Sequence, residues 1–523
     1  MTASDTSASS DETPGKEFRD AYERGVTQLL STKLVSDLDT PVSAYLKLVE
    51  DRSYSFLLES VEGGDQLGRY SIIGLSPDAI WRCDGGKAYR NDQFAEEPSA
   101  FTEQTDPPLE SLKKFIDQSQ AVPAPNAAPP PPMASGVFGY LGYALARDVE
   151  RLPPPPPAYT DTPDAVMMRP TLIAVFDNVA QEIILVTAVR PKDDVSADQA
   201  FDAANKRLAS AEARLCSDIP HKDREIRPIR RQGSGRVSSA APLTNNKITS
   251  SLTPAAYKAA VNAAKEHIFA GDIFQAVLSQ RFETDFTAEP FSLYRALRRS
   301  NPSPFLFYLD FDGFQLVGSS PEILVRVRDG EVTIRPIAGT RPRGATAEED
   351  QALEQDLLSD EKERAEHLML LDLGRNDVGR SSEIGSVKVT SSFTVERYSH
   401  VMHIVSNVVG KLKKSLHPVD AVMGGFPAGT VTGAPKIRAM EIINDLETSA
   451  RGPYAGTIGY FSGDGTVDTC ITLRTGMVKD GKLYVQAGAG VVADSDPDLE
   501  QAECENKAKA LFRAAELAEA MEG

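Results

Sequence analysis

The 523-residue sequence predicts an α+β fold built mainly on antiparallel sheet. Three observations carry that reading. Apolar or β-branched runs are bounded by turn residues, hairpin signals join neighbouring runs, and helical segments fall between groups of strands rather than after each one. No self-similarity at a period of about 20–50 residues suggests a solenoid.

The elements follow in order. Residues 1–17 are Ser/Thr/Asp-rich at their start and are expected to be a disordered tail. In the first region, 18–216, Ser55–Ser60, Thr171–Phe176 and Glu182–Val186 predict strands, and Gly136–Tyr143 suits a packed strand. The runs Pro129–Pro132 and Pro153–Pro157 read as stiff polyproline spacers. Ala197–Leu215 predicts a helix capped by Ser196. Residues 217–250, rich in Arg, Gly, Ser and Pro, read as a solvated linker.

In the second region, 251–523, Ala255–Ala270 predicts a helix that stops at Gly271. Gly313–Val327 and Glu331–Ile337 predict strands joined at Asp329-Gly330. A helix over Asp360–Leu373, a strand over Tyr398–Val409 and a helix over Ala434–Leu446, with Pro435 in its first turn, come next. Strands at Ile458–Phe461, Val467–Val478 and Leu483–Ala487 precede a closing helix over Asp498–Met521.

Composition limits the function. Lys+Arg 56 against Asp+Glu 75 gives a net charge of −19, which repels phosphate backbones and argues against nucleic-acid binding. An anionic ligand would need positive charge supplied by its own site. The four cysteines, at 83, 216, 470 and 504, are too scattered for a zinc ribbon, a CxxC redox pair or a disulfide scaffold. A reducing compartment fits them better. The N-terminus has no Lys or Arg before Lys16 and no apolar stretch, so no secretory or transit signal is expected. No run of about 18 apolar residues occurs, so a membrane span is not expected and a cytoplasmic location is.

Four motifs invite chemistry. Gly488-Ala489-Gly490-Val491-Val492-Ala493 matches a dinucleotide fingerprint, but Asp494–Pro497 delays the following helix, so that reading fails. A turn whose N–H groups approach an anion, or a turn that merely needs glycine, remains. Pro427–Lys436 is a glycine loop entering a helix, either a carboxylate cradle involving Thr430 and Thr432 or a plain N-cap. Glu363/Glu366 and Glu500/Glu503 place paired carboxylates on single helix faces, which could clamp Mg²⁺ but in an arbitrary pair of such motifs are far more often two solvated faces. His403 lies in an apolar strand, as a core residue or a proton carrier.

Together these stretches resemble the chorismate-utilising enzymes, and within them the anthranilate synthase large subunits. The resemblance runs through Gly271–Gln275, Ser320-Pro321-Glu322, Arg335–Gly344, Glu361–Asp377, His400–Ser406, the 427–436 loop, Arg474, the 488–490 glycines and Glu500/Glu503. It implies large, mainly antiparallel sheets packed as a central sandwich with helices outside. It implies that Glu363, Glu366, Glu500 and Glu503 hold Mg²⁺. It implies that Thr340, Thr430, Tyr454, Arg474, Gly488, Ala489 and Gly490 bind chorismate. Catalysis is assigned to Glu322, His403, Gln275 and Thr430, with Glu322 as the proton donor to the leaving hydroxyl.

The implied reaction joins ammonia to chorismate and releases pyruvate, giving anthranilate for tryptophan biosynthesis. Water-adding relatives carry Lys where this chain has Gln275, and relatives making 4-amino-4-deoxychorismate carry Lys where it has Ala338. Aminodeoxychorismate synthase is therefore the second choice. No glutaminase nucleophile elbow occurs in the sequence, so a separate glutamine amidotransferase subunit and a hetero-oligomer are expected. A weaker resemblance in the first region implies a tryptophan-inhibitor pocket of Glu59, Ser60, Arg69, Pro304, Phe305, Leu306 and Tyr460, with Glu59 pairing the ligand's ammonium.

Overall fold

Two long strands, Gln66–Asp84 and Ala165–Asp177, run side by side and belong to two sheets at once. Their register slips between Pro77 and Ala79, next to Ser76 at φ +52°. Such a bulge bends a strand pair and lets it change sheets. The computed structural model describes residues 15–49, 53–62, 66–125, 130–131, 133–219, 248–398 and 401–522.

On one side of the bend the long pair is flanked by Glu182–Val189 and Ser55–Glu62. That first sheet continues through Phe305–Asp310, Phe314–Ser320, Thr475–Lys479 and Lys482–Val491 to Gln275–Asp285. On the other side the pair is flanked by Lys87–Asn91 and Gly136–Leu141. The second sheet continues through Thr457–Ser462, Val467–Ile471, Ile323–Arg328 and Glu331–Ile334 to Val401–Lys411. Val401–Lys411 also pairs with Ile337–Pro342 and Lys388–Arg397. These pairings are all antiparallel.

The inner faces meet in an aromatic and aliphatic core that includes Phe56, Phe138, Met168, Phe307, Tyr460 and Met477. Helices such as Pro290–Ser300 and Pro497–Glu522 cover the outer face of the first sheet through Tyr294 and Leu511. Glu361–Ser381 and Pro418–Gly425 cover that of the second through Leu371 and Val422, while Lys436–Leu446 packs on the Gln275–Asp285 strand of the first through Ala439 and Ile442. The expected sandwich with helices outside is what the chain forms.

The two sequence regions do not form separate sheets. Ser55–Glu62 pairs with Phe305–Asp310, and Gly136–Leu141 with Thr457–Ser462. The 217–250 segment divides the chain but not the sandwich. Its residues 220–247 lie outside the described residues, while Thr249 and Ser250 already pair with Glu283 and Phe282.

Several expected boundaries move. The helix Lys16–Glu23 begins inside the expected tail, whose residues 1–14 lie outside the described residues, as do Pro129 and Pro132 of the first proline run. Gly136–Tyr143 leaves the strand at Leu141 and enters a 3₁₀ turn, Tyr143–Asp148. Gly313–Val327 is two strands parted at Pro321, which has no N–H for a ladder. Val467–Val478 is two strands parted where Arg474 turns left-handed, φ +48°. The strand predicted from Tyr398 begins at Val401, and the helix predicted to end at Leu373 runs to Ser381. Pro435 caps the helix that starts at Lys436, while Gly433 and Ala434 pair with Ala276 and Gln275. Gly488–Gly490 forms no turn: the strand runs on to Val491. By contrast, Ala197–Leu215 with its Ser196 cap, and the Gly271 stop at φ +84°, stand as predicted.

Candidate active site

The break at Pro321 turns Glu322 into a cavity of about 220 Å³ between the ends of both sheets. Glu322 is 8% exposed. The Thr430 hydroxyl lies 3.1 and 3.2 Å from its two carboxylate oxygens. Burial nevertheless pushes the carboxyl up to about 8, so the acid holds its proton at neutral pH.

The left-handed turn at Arg474 sends its side chain to the same cavity, with its carbonyl anchored by the Ser319 N–H at 3.1 Å. Burial pulls its guanidinium below the usual range. Among the described residues no carboxylate pairs with it. A cation held this way favours an anionic visitor.

His403 pairs across the ladder with Thr340. Its Nδ1 lies 3.0 Å from Thr340 Oγ1 and 3.2 Å from the Gly339 carbonyl. A carbonyl only accepts, so Nδ1 carries the hydrogen and Nε2 keeps a lone pair. Burial lowers the imidazole's pKa and keeps it neutral.

Gly488 completes the wall. A Cβ there would stand 2.8 Å from the Tyr454 hydroxyl and 2.8 Å from the Leu278 carbonyl, so glycine is required by close approach. Pairing with Thr475–Lys479 stops at Val485, leaving one edge of the 482–491 strand open beyond it. Ala489 faces the helix-covered core instead of the cavity. Gly490 lies against Gln275, whose amide would sit 2.8 Å from an added Cβ.

The glutamates lie on two helices, Glu361–Ser381 and Pro497–Glu522. The Glu366 carboxyl is pushed up by burial and then by the charges of Glu363 and Glu503, against a hydrogen bond from Gln275. Glu500 is pushed up by burial and by Glu503. Arg341 Nη1 reaches Glu363 at 3.1 Å, and Lys507 reaches Glu503 at 2.7 Å and the Gly488 carbonyl at 2.9 Å. The pairs share one electrostatic field, yet among the described residues no three ligating side chains are gathered into a cage. Hard carboxylate oxygens that repel one another suit Mg²⁺ in kind.

The model of the chorismate binding enzymes matches residues 76–513. The chain belongs to the chorismate-binding enzymes. It is 51% identical to anthranilate synthase component 1 of Cereibacter sphaeroides over 95% of this chain and 96% of that protein. With the same component of Pseudomonas putida it shares 46%, over 94% and 95%. Among solved structures, anthranilate synthase component I of Streptococcus pneumoniae superposes with a TM-score of 0.72 at 36% identity, covering 92% of this chain and 99% of that one. The menaquinone-specific isochorismate synthase of Escherichia coli shares the fold alone: TM-score 0.67 and 18% identity, over 95% and 99%.

This chorismate-binding enzyme has a second cavity, of about 940 Å³, between the sheets. Ser60, Arg69, Pro304, Phe305, Leu306 and Tyr460 line it, as does part of Glu59. The Glu59 carboxylate, however, is held by Arg298, with Nε at 2.7 Å and Nη2 at 3.0 Å, and by the Tyr294 hydroxyl. The expected ammonium partner is thus already tied to the helix Pro290–Ser300. Arg69 pairs with Asp177 at 3.0 Å. Pro321 and Ile337 border both cavities, so the chorismate-binding enzyme's two hollows share a wall.

Sequence reasoning missed Gln486 and the role of Lys507 in the first cavity, and the Glu447–Arg451 pair behind it. The four-residue spacing of Glu447 and Arg451, just ahead of Tyr454, was the available signal.

Proposed function

We propose that the chain is component I of an anthranilate synthase, converting chorismate and ammonia to anthranilate and pyruvate. One observation carries this reading: a buried, protonated Glu322 and an Arg474 with no carboxylate partner among the described residues border one small cavity. The high identity to anthranilate synthase components supports it.

Arg474 binds a carboxylate of the chorismate dianion, and the hydroxyls of Thr340 and Tyr454 orient the ring. Ammonia forms a bond to ring carbon 2 as the double bonds shift and the bond from carbon 4 to its hydroxyl breaks. Glu322 gives its proton to that hydroxyl, which leaves as water. In the second step His403 Nε2 takes the proton from carbon 2. The bond from carbon 3 to the enolpyruvyl oxygen breaks, the ring becomes aromatic, and the released enol becomes pyruvate. The tautomer set by the Gly339 carbonyl suits His403 to this basic role. Ala338 lines the cavity without a nucleophile, which disfavours covalent capture at carbon 4.

Glu363, Glu366, Glu500 and Glu503 would hold Mg²⁺, which when bound supplies positive charge for a substrate carboxylate. Gln275 orients Glu366. A glutamine amidotransferase subunit would supply neutral ammonia. Tryptophan would bind the larger cavity and act on chorismate through the shared Pro321–Ile337 wall. The reading places the enzyme in the cytoplasm; among the described residues no helix is long and apolar enough to cross a membrane.

The test is direct. The purified chain is mixed with chorismate, Mg²⁺ and an ammonium salt at pH about 8.5, and the product is identified by fluorescence and mass. Anthranilate supports the reading; a 4-amino product or none overturns it.

A further inference from the structure

Behind the small cavity lies a buried ion pair that lines no part of it. Glu447 ends the helix Lys436–Leu446, and Arg451 follows four residues later. Their side chains are 6% and 2% exposed. Arg451 grips Glu447 at two points, Nη2 to Oε1 at 2.6 Å and Nε to Oε2 at 2.9 Å. Taking both charges out of water is costly, and apolar side chains would fill the space as well. The pair's remaining contacts indicate what it does there.

Arg451 Nη1 donates to the Val431 carbonyl and Nη2 to the Val277 carbonyl, each at 2.7 Å. Glu447 Oε1 accepts from the N–H and the hydroxyl of Ser279, each at 2.8 Å. Gln486 Nε2 donates to that same hydroxyl at 2.8 Å. The guanidinium also stands 5.5 Å from the centre of the Tyr454 ring. Val277, Val431, Tyr454 and Gln486 come from four segments, and all four line the cavity.

We propose that Arg451 and Glu447 are positioning residues, a buried bolt that sets the 429–431 loop against the 275–285 strand and so places the Thr430 hydroxyl on Glu322. This rests on the reading of Glu322 as proton donor. Fixing the Val431 carbonyl fixes the residue next to Thr430. The Thr430 bond favours the charged carboxylate, so it holds Glu322 lower than burial alone would. Loosening the loop releases that restraint. Arg474, His403, Lys507 and Tyr454 share the cavity with Glu322, and Tyr398 stands behind His403. Of these only Tyr454 touches Arg451, through its ring, so the other charges stay in place when the pair is changed.

The full chain is compared with R451K, which keeps the charge but not the fork, and with the double variant R451M/E447M. The double variant leaves no orphan charge, so its fold should survive. The expected result is a melting temperature near wild type, kcat lowered about a hundredfold, KM for chorismate little changed, and the alkaline limb of the pH profile moved upward. A difference-infrared titration of the protonated carboxyl band, assigned with E322Q, reads the same upward shift without turnover. A folded double variant with wild-type kcat and an unmoved carboxyl titration overturns the proposal. If the double variant does not fold, R451K decides: an upward shift supports the bolt, and an unmoved titration overturns it. A wild-type chain that makes no anthranilate would refute the proposed reaction, whereas the infrared titration still judges the bolt.

Discussion

Thr430 Oγ1 lies almost midway between the two carboxylate oxygens of Glu322, 3.1 Å from one and 3.2 Å from the other. One hydroxyl hydrogen shared between two acceptors stabilises the carboxylate only weakly. Burial acts in the opposite direction and wins. The result is an acid poised near the working pH.

Glu322→Gln should lower kcat by about 10²–10⁴-fold with the fold intact. The wild-type kcat/KM should fall as pH rises through about 8, because the protonated acid is required. Stopped assays across pH check both. Activity in E322Q equal to wild type would remove Glu322 from the mechanism.

The same group couples stability to pH. Its folded value, about 8, exceeds its ordinary 4.5, so the folded chain keeps a proton that the unfolded chain releases. The stability it contributes is complete below 4.5 and is lost as pH rises through about 8. E322Q should therefore melt relatively higher, compared with wild type, at pH about 9 than at pH about 4. A gap in melting temperature that stays constant with pH would contradict this.

Arg474→Ala should reduce kcat/KM for chorismate about ten- to hundredfold, and Arg474→Lys should restore part of it. Steady-state kinetics would show the loss. Unchanged kinetics would mean that another group binds the carboxylate.

Glu503→Gln and Glu366→Gln should each weaken Mg²⁺ binding about tenfold or more. Calorimetry with Mg²⁺ alone measures this apart from turnover. Wild-type affinity in both variants would rule out the acidic helices as the metal site.

Glu59→Gln should destabilise the ligand-free chain by about 1–3 kcal/mol, because Arg298 loses its charged partner. Thermal melts without tryptophan test this. A change seen only in tryptophan calorimetry would restore Glu59 to the role of ammonium partner.

Local signals in the sequence carried far. The Ser196 cap and the left-handed Gly271 are decided within a few residues, and both lie where predicted. Signals that depend on distant partners did not carry. Gly488–Gly490 looks like a turn because glycine is a poor strand former, yet the 275–285 strand, some two hundred residues earlier, recruits it into a ladder. The breaks at Pro321 and Arg474 interrupt apolar runs that looked continuous, and those two breaks deliver the acid and the cation to the cavity. The ligand role of Glu59 comes from the resemblance alone, and its ties to Tyr294 and Arg298 are invisible at a separation of more than two hundred residues.

The bent strand pair has one more consequence. Since Phe305–Asp310 is stitched to Ser55–Glu62 and Thr457–Ser462 to Gly136–Leu141, neither half of the gene product owns a finished hydrophobic interior. Severing the backbone within 217–250 should yield pieces that are insoluble singly yet reconstitute when mixed. The larger cavity is likewise woven from both halves, Ser60 and Arg69 from one and Phe305 and Tyr460 from the other, so it could not have been added as a detachable module.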